Sequence, residues 1–296
     1  MTDDATPTPL RLSFSSMSLF KQCPKRWEFR YIDKLGDPAG YAATLGSFVH
    51  QCFEHFFELP AAKRTREAMK AIAREQYDLF ITHERYATEF AENVGTEEAD
   101  HKLFRQKAWI SIMSLWEFEN PESVKVVHNE YEFLLDVDGI KVKGFIDRLE
   151  EKNGKVEIVD YKTGKAPMRR YQADKLEQLY LYGAAVLEDF GEMPSKGKLY
   201  FLGSEIVSTP LNKGRVDLIR RNITATAVKI NKAKIDGFEP TVGPLCAWCA
   251  YVDKCPAGQE EITWRSKEGK IKKAAPGYQL GKELAAAAAL EAETYF

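Results

Sequence analysis

The segment "GFIDRLEEKNGKVEIVDYKTGK", residues 144–165, contains a strong β-hairpin signal at its centre. Asn153-Gly154 suits a two-residue type I′ turn, because both central positions of that turn need positive φ. The stretches on either side of this pair have the composition of strands. When the residues that flank the turn are paired, Asp147 is predicted to lie directly opposite Asp160.

The two predicted strands share a face that is apolar until it reaches the carboxylates. Because side chains alternate along a strand, this face carries Phe145, Asp147, Leu149, Val156, Ile158, Asp160 and Lys162. Two carboxylates about 5 Å apart across a ladder repel each other, and burial adds to the cost. A divalent cation would relieve this repulsion. Two alternatives are a solvated pair neutralised by Lys162 and a one-residue slip in register, which separates the aspartates.

The composition indicates a chain that can bury a full-sized core. Of the 296 residues, 44% are apolar and 12% are aromatic, and this length suggests one or two domains. The formal net charge of −2 excludes a generally basic nucleic-acid coat, so any polyanion must bind to local patches.

No apolar run approaches the ~18 residues of a membrane span. The start "MTDDATPTPL" is unlike a targeting peptide, so we expect a flexible N-terminus over residues 1–10 and a cytoplasmic protein without membrane association.

Four of the five cysteines have the spacing of a metal or cluster site. Cys246, Cys249 and Cys255 form a C-x2-C-x5-C group, which is typical of metal ligands. Cys23 is the better candidate for a fourth ligand, because a proline follows it as a proline follows Cys255. Cys52 fits the apolar spacing of a helix and is predicted to be a small core residue. The spacing alone favours neither zinc nor an iron–sulfur cluster as the occupant. The alternative is that the cysteines are unrelated buried residues.

The remaining patterns predict an α/β protein with a mixed sheet. Helices are predicted over residues 11–35, 44–58, 172–189 and 214–235, and a helical insertion over about 60–121. Strands dominate residues 124–163, with Asp138-Gly139 as a second hairpin turn, and two more strands follow residue 195. The C-terminal tail, 258–296, carries a basic stretch and then an Ala-rich helix.

Several polar residues outside the hairpin could meet the aspartates. His50 borders the apolar stripe of its helix, where a lone histidine is usually structural, although neutral imidazole is a common metal ligand. Gln178 and Tyr182 are four residues apart and project from the same helical face, a spacing that a solvated face also shows. Glu130 lies one hairpin upstream of Asp147 and is a further candidate acid.

Five short motifs occur along the chain in the order found in one family of nucleases. They are "GSFVH", "GFID", "DYKTG", "QLYLY" and the set formed by Cys23 and the C-x2-C-x5-C group. In these motifs the chain resembles the RecB-like nucleases of the PD-(D/E)XK superfamily. It is most similar to their iron–sulfur members: the AddB nuclease module, CRISPR-associated RecB-like exonucleases and stand-alone relatives. The resemblance covers roughly residues 11–256 and leaves the helical insertion and the tail outside the pattern.

The resemblance implies a nuclease domain over residues 11–257 with a restriction-endonuclease-like core, a central mixed sheet flanked by helices. It implies that His50, Asp147 and Asp160 hold Mg²⁺ or Mn²⁺ and that Lys162 is the catalytic lysine. Gln178 and Tyr182 match residues that support the site. Cys23, Cys246, Cys249 and Cys255 match the ligands of a [4Fe–4S] cluster that joins the N- and C-terminal parts, with zinc as the less favoured occupant.

The implied activity is hydrolysis of DNA from single-stranded ends, 5′ to 3′, in recombination, repair or DNA processing. The implied partners are DNA and a helicase, recombination or CRISPR adaptation protein. We expect Arg26, Arg169 and Arg170 to contact DNA phosphates. Two alternatives stay open: a non-catalytic DNA-end-binding module within a larger complex, and a structure-specific endonuclease.

Overall fold

The computed structural model describes residues 11–36 and 40–294. The expected flexible N-terminus, residues 1–10, lies outside the described residues. The chain divides into two compact units. The first is formed by Met1–Phe14 and Ala39–Thr224, and the second by Ser15–Pro38 and Ala225–Phe296.

The elements follow the predicted order of helices and strands closely. The strands are β1 (Arg11–Leu12), β2 (Lys125–Val137), β3 (Ile140–Lys152), β4 (Lys155–Lys162), β5 (Lys196–Phe201) and β6 (Ile206–Pro210). The helices are α1 (Phe14–Gln22), α2 (Pro24–Tyr31), α3 (Gly40–Glu58), α4 (Arg66–Thr82), α5 (Glu84–Val94), α6 (Glu98–Met113), α7 (Leu115–Phe118), α8 (Gln172–Phe190), α9 (Lys213–Asp236), α10 (Pro256–Lys267) and α11 (Tyr278–Thr294). Short 3₁₀ turns occur at Ala61–Lys63, Pro121–Ser123, Arg169–Tyr171, Pro244–Trp248 and Val252–Lys254.

The strands form one mixed sheet in the first unit, as predicted. Its order is β1-β3-β4-β5-β6, with β2 also paired to β3. The β1–β3 and β4–β5 pairs are parallel, and the β2–β3, β3–β4 and β5–β6 pairs are antiparallel. The predicted turn has positive φ at both central residues, 53° at Asn153 and 74° at Gly154. Lys152 pairs with Lys155, so the predicted hairpin register is confirmed.

Helices cover both faces of this sheet. On one face, Phe53 of α3 packs against Tyr161 of β4 with ring centroids 4.5 Å apart. On the other face, Gln178 of α8 accepts a hydrogen bond from Lys162 at 3.0 Å. The approach of α8 to β5 is so close that a Cβ atom on Gly197 would lie 2.8 Å from the Cβ of Leu179. The ends of β3 and β4 are therefore enclosed between α3 and α8.

A buried network of charges lies on the α3 face of the sheet. Arg148 is fully buried and donates hydrogen bonds to both carboxylate oxygens of Glu119, at 2.7 and 2.8 Å. It also donates to the Tyr161 hydroxyl at 2.7 Å and to Glu150 at 2.6 Å. Lys198 donates to the other oxygen of Glu150 at 2.7 Å. Because an unpaired buried charge costs several kcal/mol, these partners are what makes Arg148 tolerable inside the core.

Two details of the predicted structure are wrong. The single helix expected over residues 11–35 is instead a strand and two helices, which break at Cys23-Pro24. Cys23 is extended, with φ −161° and ψ 108°, because the residue before a proline is disfavoured in the helical region. Phe145, expected on the buried face, is 46% exposed. It pairs with Glu132 beyond the carboxylates, and the Lys143 ammonium lies over its ring.

The second unit contains the cysteine segments and the last two helices. Phe20 and Trp27 pack with Phe238, and Phe29 packs with Tyr251. A further cluster contains the buried residues Ala247, Val252, Ile262 and Ala275. The domain boundary expected at 257/258 falls inside α10, whose Ile262 belongs to this cluster. Within the described residues, all helices are too short or too polar to cross a membrane.

Candidate functional site

The β3–β4 ladder opens where the two predicted aspartates lie. Pairing runs from the turn as far as Arg148 and Val159. Beyond this pair, the main-chain amide of Tyr161 donates to Asp147 Oδ2 at 2.6 Å. The carbonyl oxygen of Tyr161 lies 2.9 Å from His50 Nε2. A carboxylate, an imidazole and a main-chain carbonyl therefore converge at the end of the hairpin.

Glu130 joins this group from the neighbouring strand. Ligand atoms of His50, Glu130 and Asp147 all lie within 4.8 Å of one another, the one such set of histidine, cysteine and acidic residues in the described part of the chain. Asn129 pairs with Arg148 and Tyr131 with Ile146, so Glu130 lies opposite Asp147. Its φ of 47° is unusual for a residue other than glycine. The sequence predicts Glu130 as a further acid near the site, and the Asp138-Gly139 turn fixes the register that places it here.

The other predicted site residues form a closed ring of polar contacts. Lys162 Nζ lies 2.6 Å from Asp160 Oδ2 and donates to Gln178 Oε1 at 3.0 Å. Gln178 Nε2 donates to the Tyr182 hydroxyl at 2.5 Å, and Tyr182 donates to Asp160 Oδ1 at 3.2 Å. The predicted pairing of a helical glutamine and tyrosine with the hairpin is therefore present. Each member fixes the next, so Asp160 and Lys162 are held in place.

The charged groups at the site compensate one another. Burial opposes ionisation of Asp147, but the nearby His50 lowers the pKa of this carboxyl below its usual range. Burial raises the pKa of Asp160 even though Lys162 opposes the shift. Burial and the charge of Asp147 raise the pKa of Glu130 to about 8. Burial opposes protonation of His50, but Asp147 outweighs this and raises its pKa to about 9.

The donor set fits a hard divalent cation. Carboxylate and carbonyl oxygens suit Mg²⁺ and Mn²⁺, and an added imidazole favours Mn²⁺. Asp160 Oδ2 is buried against the ammonium group of Lys162, which lies 2.6 Å away. A divalent ion bound here would compete with protons on Glu130 and His50, whose pKa values are raised. The role of each residue as a ligand stays a prediction.

The three arginines predicted to bind DNA belong to different units of the chain. Arg169 and Arg170 lie in an exposed 3₁₀ turn after β4, where Arg170 stacks on Tyr171 at 4.7 Å. Arg26 lies on α2 in the second unit and lines a cavity that also contains the cysteines. Burial raises the pKa of Cys249, and the charge of Arg26 acts against this shift. DNA binding by these arginines stays a prediction.

The four predicted cysteines line one cavity of about 210 Å³ in the second unit. Cys23 and Cys255 occupy the N-cap positions of α2 and α10, each just before the proline that begins the helix. The amides of Thr241 and Gly243 donate to the sulfurs of Cys23 and Cys246, both at 3.4 Å. Helix N-termini and amide donors both stabilise thiolates. The fifth cysteine, Cys52, is buried in the core of the first unit as predicted.

No three of the described sulfurs have the close spacing of a zinc site. Zinc–sulfur bonds of about 2.3 Å in a tetrahedron place sulfur atoms about 3.8 Å apart. Among the described cysteines, no three sulfurs lie within 4.8 Å of one another. All five cysteines are free thiols rather than disulfides.

Comparison with known proteins agrees with this fold. The sequence model of the PD-(D/E)XK nuclease superfamily matches residues 11–256. The chain belongs to this superfamily. The superfamily predicted from the motifs is thus confirmed, and the observed mixed sheet flanked by helices is consistent with its restriction-endonuclease-like core. The iron–sulfur branch stays a prediction.

Two phage proteins and one crystal structure are similar to this member of the superfamily. The "Gene 69 protein" of Mycobacterium phage L5 is 26% identical over 295 residues, which cover 86% of this chain and 99% of the relative. That of Mycobacterium phage D29 is 27% identical over 169 residues, covering 55% and 58%. A "Putative exonuclease" from Eubacterium rectale superposes with a TM-score of 0.52 at 15% identity, covering 81% of this chain and 87% of that one. This likeness shows a shared fold.

Proposed function

We propose that the protein is a divalent-metal-dependent deoxyribonuclease that degrades DNA from single-stranded ends. The observation that carries the proposal is the convergence of His50, Glu130 and Asp147 within 4.8 Å, beside the ring that holds Asp160 and Lys162. Membership of a nuclease superfamily supports hydrolysis of a phosphodiester bond. The name of the Eubacterium rectale neighbour favours exonuclease action over endonuclease action.

The metal ligands that we propose are His50, Asp147, Asp160 and the carbonyl oxygen of Tyr161, with Glu130 as a further carboxylate. A bound Mg²⁺ or Mn²⁺ would polarise the scissile phosphate and lower the pKa of the attacking water. His50 must lose a proton to become a ligand, because only neutral imidazole offers a lone pair. The contact between Asp147 and the Tyr161 amide, at 2.6 Å, keeps one carboxylate oxygen fixed while the other faces His50.

Lys162 is proposed to stabilise charge in the transition state. Burial opposes its protonation, but the carboxylates of Asp160 and Asp147 raise its pKa. Lys162 therefore stays an ammonium group and donates hydrogen bonds to the pentacoordinate phosphorus species, rather than accepting a proton from water. Gln178 holds the ammonium at 3.0 Å. Tyr182 positions Asp160 through its hydroxyl group.

We also propose that Cys23, Cys246, Cys249 and Cys255 hold a [4Fe–4S] cluster, with zinc as the less favoured occupant. Three features support this: the shared cavity of about 210 Å³, the amide donors to sulfur, and the absence of three described sulfurs at zinc spacing. The cluster would stabilise the second unit rather than take part in hydrolysis. The direction of degradation, 5′ to 3′, and a role in recombination, repair or DNA processing with a helicase or CRISPR adaptation partner follow from the resemblance.

Degradation of linear and circular single-stranded DNA tests this function. Anaerobically purified wild type, with Mn²⁺ or Mg²⁺, is expected to shorten an end-labelled linear strand and to leave a circular strand intact. Asp160→Asn should be inactive, whereas the exposed Asp174→Asn should match wild type. Labelling each end in turn gives the direction. Cleavage of circles would indicate an endonuclease, and binding without cleavage by wild type would indicate a DNA-end-binding module.

A further inference from the structure

A second surface in the first unit has the chemistry of a nucleic-acid site. It is a groove of about 540 Å³ between α4 and α6 in the helical insertion, and it is here called the helical groove. Lys70 and Arg74 line it from α4, and Lys102 and Arg105 line it from α6. Trp109, one turn after Arg105, completes the α6 side. None of these residues belongs to the candidate active site.

The helical groove is strongly positive although the whole chain is slightly acidic. Lys70, Arg74 and Lys102 are exposed and make no ion pair with a described residue. Asp78 is the one acidic residue among those described that line the groove. These three exposed cations around one groove attract a polyanion, and each can neutralise one phosphate of a nucleic-acid backbone.

The fourth cation and the aromatic rings are held in place before any ligand binds. Arg105 donates to Glu98 at 2.6 Å and to the Tyr77 hydroxyl at 2.9 Å. Its guanidinium also lies 5.0 Å from the centre of the Tyr77 ring. Trp109 is half-buried and leaves part of its indole in the groove. Aromatic rings beside a positive groove are the usual means of binding single strands, because unpaired bases stack on them.

We propose that the helical groove binds single-stranded DNA, with phosphates on Lys70, Arg74 and Lys102 and a base stacked on Trp109. Phe48 lies at the floor of the groove, and His50 of the candidate active site follows it by two residues on α3. Two residues correspond to about 200° around a helix, so the groove and the active site flank α3, a helix ~10 Å across. The groove would therefore hold the strand a short distance from the cut, a link that rests on the proposed function.

Binding of a labelled 20-nucleotide oligo(dT) in EDTA tests the groove without any cleavage. Fluorescence anisotropy over a range of salt concentrations gives the affinity and its salt dependence. Lys70→Glu/Lys102→Glu is expected to weaken binding tenfold or more. It should also lower the slope of log K against log salt by about 1.4, which is ~0.7 for each lost contact with a single strand. Lys63→Glu/Lys155→Glu, with the same change in net charge at two exposed lysines elsewhere, should bind like wild type.

Trp109 provides a second, independent measurement on the same oligonucleotide. Trp109→Ala should weaken binding about fivefold or more, whereas Trp109→Phe keeps a stacking surface and should lose less. Circular dichroism melting shows whether each variant is folded. Unchanged affinity in the folded lysine variant would overturn the proposal. The proposal would also be overturned if the lysine variant lost as much affinity for duplex DNA as for oligo(dT). The same holds if it lost affinity for the mononucleotide dTMP but not for oligo(dT). If binding in EDTA depended on the groove but no cleavage followed the addition of Mn²⁺, the proposed DNA binding by the groove would stand. The proposed nuclease activity would then be wrong.

Discussion

The carboxylate site and the cysteine site are assembled in different ways. Asp147 and Asp160 come from adjacent strands of one hairpin, and their separation is set by a two-residue turn. In the second unit, Cys23 precedes Cys246 by more than 200 residues, and the cavity is lined by two separate segments, residues 22–29 and 240–258. The carboxylate site compensates its own charges through Lys162 and His50. The cysteine cavity is lined by the charged side chains of Lys25 and Arg26, and main-chain amides donate to two of its sulfurs.

This difference indicates what each site needs from its occupant. The first site should keep its geometry without a metal, because hydrogen bonds to main chain and α8 already fix the side chains. The second site is expected to depend on the occupant that we propose, because burial raises the pKa values of Cys246 and Cys249 and favours neutral thiols there. Removing the occupant should therefore affect activity in the first case and stability in the second.

The largest expected effect is on catalysis. Asp160→Asn removes the charge that would bind the metal and pair with Lys162, so we expect the cleavage rate to fall by roughly 10³-fold or more. Thermal unfolding should shift little, because the asparagine can still accept from Tyr182. Single-turnover cleavage of linear DNA and a melting curve measure the two quantities. If Asp160→Asn lost most of its folded structure, the site would not keep its geometry without a bound metal.

The cysteine site should respond in the opposite way. Cys255→Ser is expected to lose bound iron and its visible absorbance and to lower the melting temperature by roughly 10 °C, because the energy of binding a structural metal group is folding energy. Cys52→Ala is the matched control, since Cys52 is a core cysteine outside the cavity. It should keep full iron content. If Cys255→Ser kept wild-type stability after losing iron, the stabilising role would be excluded.

The sequence predicts the carboxylate site well because its determinants are local. The Asn153-Gly154 turn fixes the register, and alternation then gives the positions of Asp160 and Lys162. Gln178 and Tyr182 project from one face of a helix at four-residue spacing, and the structure joins both to the hairpin. No tertiary contact is needed for any of these inferences. The cysteine set is predictable for a similar reason, since three of its members lie within ten residues.

The residues that the sequence does not predict depend on packing. Arg148 reads as an exposed strand residue, but its side chain is fully buried against Glu119 and Tyr161. Only the arrangement of α7, β3 and β4 supplies those partners. Glu130 has a positive φ within a strand, and no local sequence pattern predicts this conformation for a glutamate. The break at Cys23-Pro24 did have a local signal in its proline.

The Arg148 network allows a test of how far the two faces of the sheet are coupled. Arg148→Met leaves Glu119 and Glu150 buried with fewer partners, so we expect a loss of about 3–5 kcal/mol in the free energy of unfolding. The exposed Arg170→Met should lose almost nothing. Urea titration measures both. Because Arg148 also anchors the Tyr161 hydroxyl, Arg148→Met should bind Mn²⁺ more weakly as well. Full Mn²⁺ affinity in a destabilised variant would argue against that coupling.

Stability of the metal-free protein should fall as pH rises. In the folded state the pKa of Glu130 is raised to about 8 and that of His50 to about 9. Between the unfolded and folded pKa values, the folded state binds more protons, so stability is highest below the unfolded values and is lost through pH 8 and 9. Mn²⁺ competes with the same protons, so its affinity should rise over this range.

Melting curves in EDTA at pH 6 and pH 8 measure this effect. Wild type should be less stable at pH 8 than at pH 6, and Glu130→Gln should show a smaller difference because one of the two groups is gone. Glu132→Gln is the control, since Glu132 is an exposed glutamate two residues along the same strand, paired with Lys143. If the difference in stability between pH 6 and pH 8 were the same for all three proteins, Glu130 would not contribute to the pH dependence.

The smallest expected effect concerns the turn that creates the carboxylate site. Gly154 has φ of 74°, a conformation that alanine adopts at a cost of about 1 kcal/mol. Gly154→Ala should therefore lower the free energy of unfolding by about that amount. Gly36→Ala, at a glycine without positive φ and with no atom within 4 Å of the new Cβ, should not. Cleavage by Gly154→Ala should stay close to wild type, because the ladder from Lys152 to Arg148 still holds the register. A large loss of activity would mean that the turn, rather than the ladder, keeps the aspartates in place.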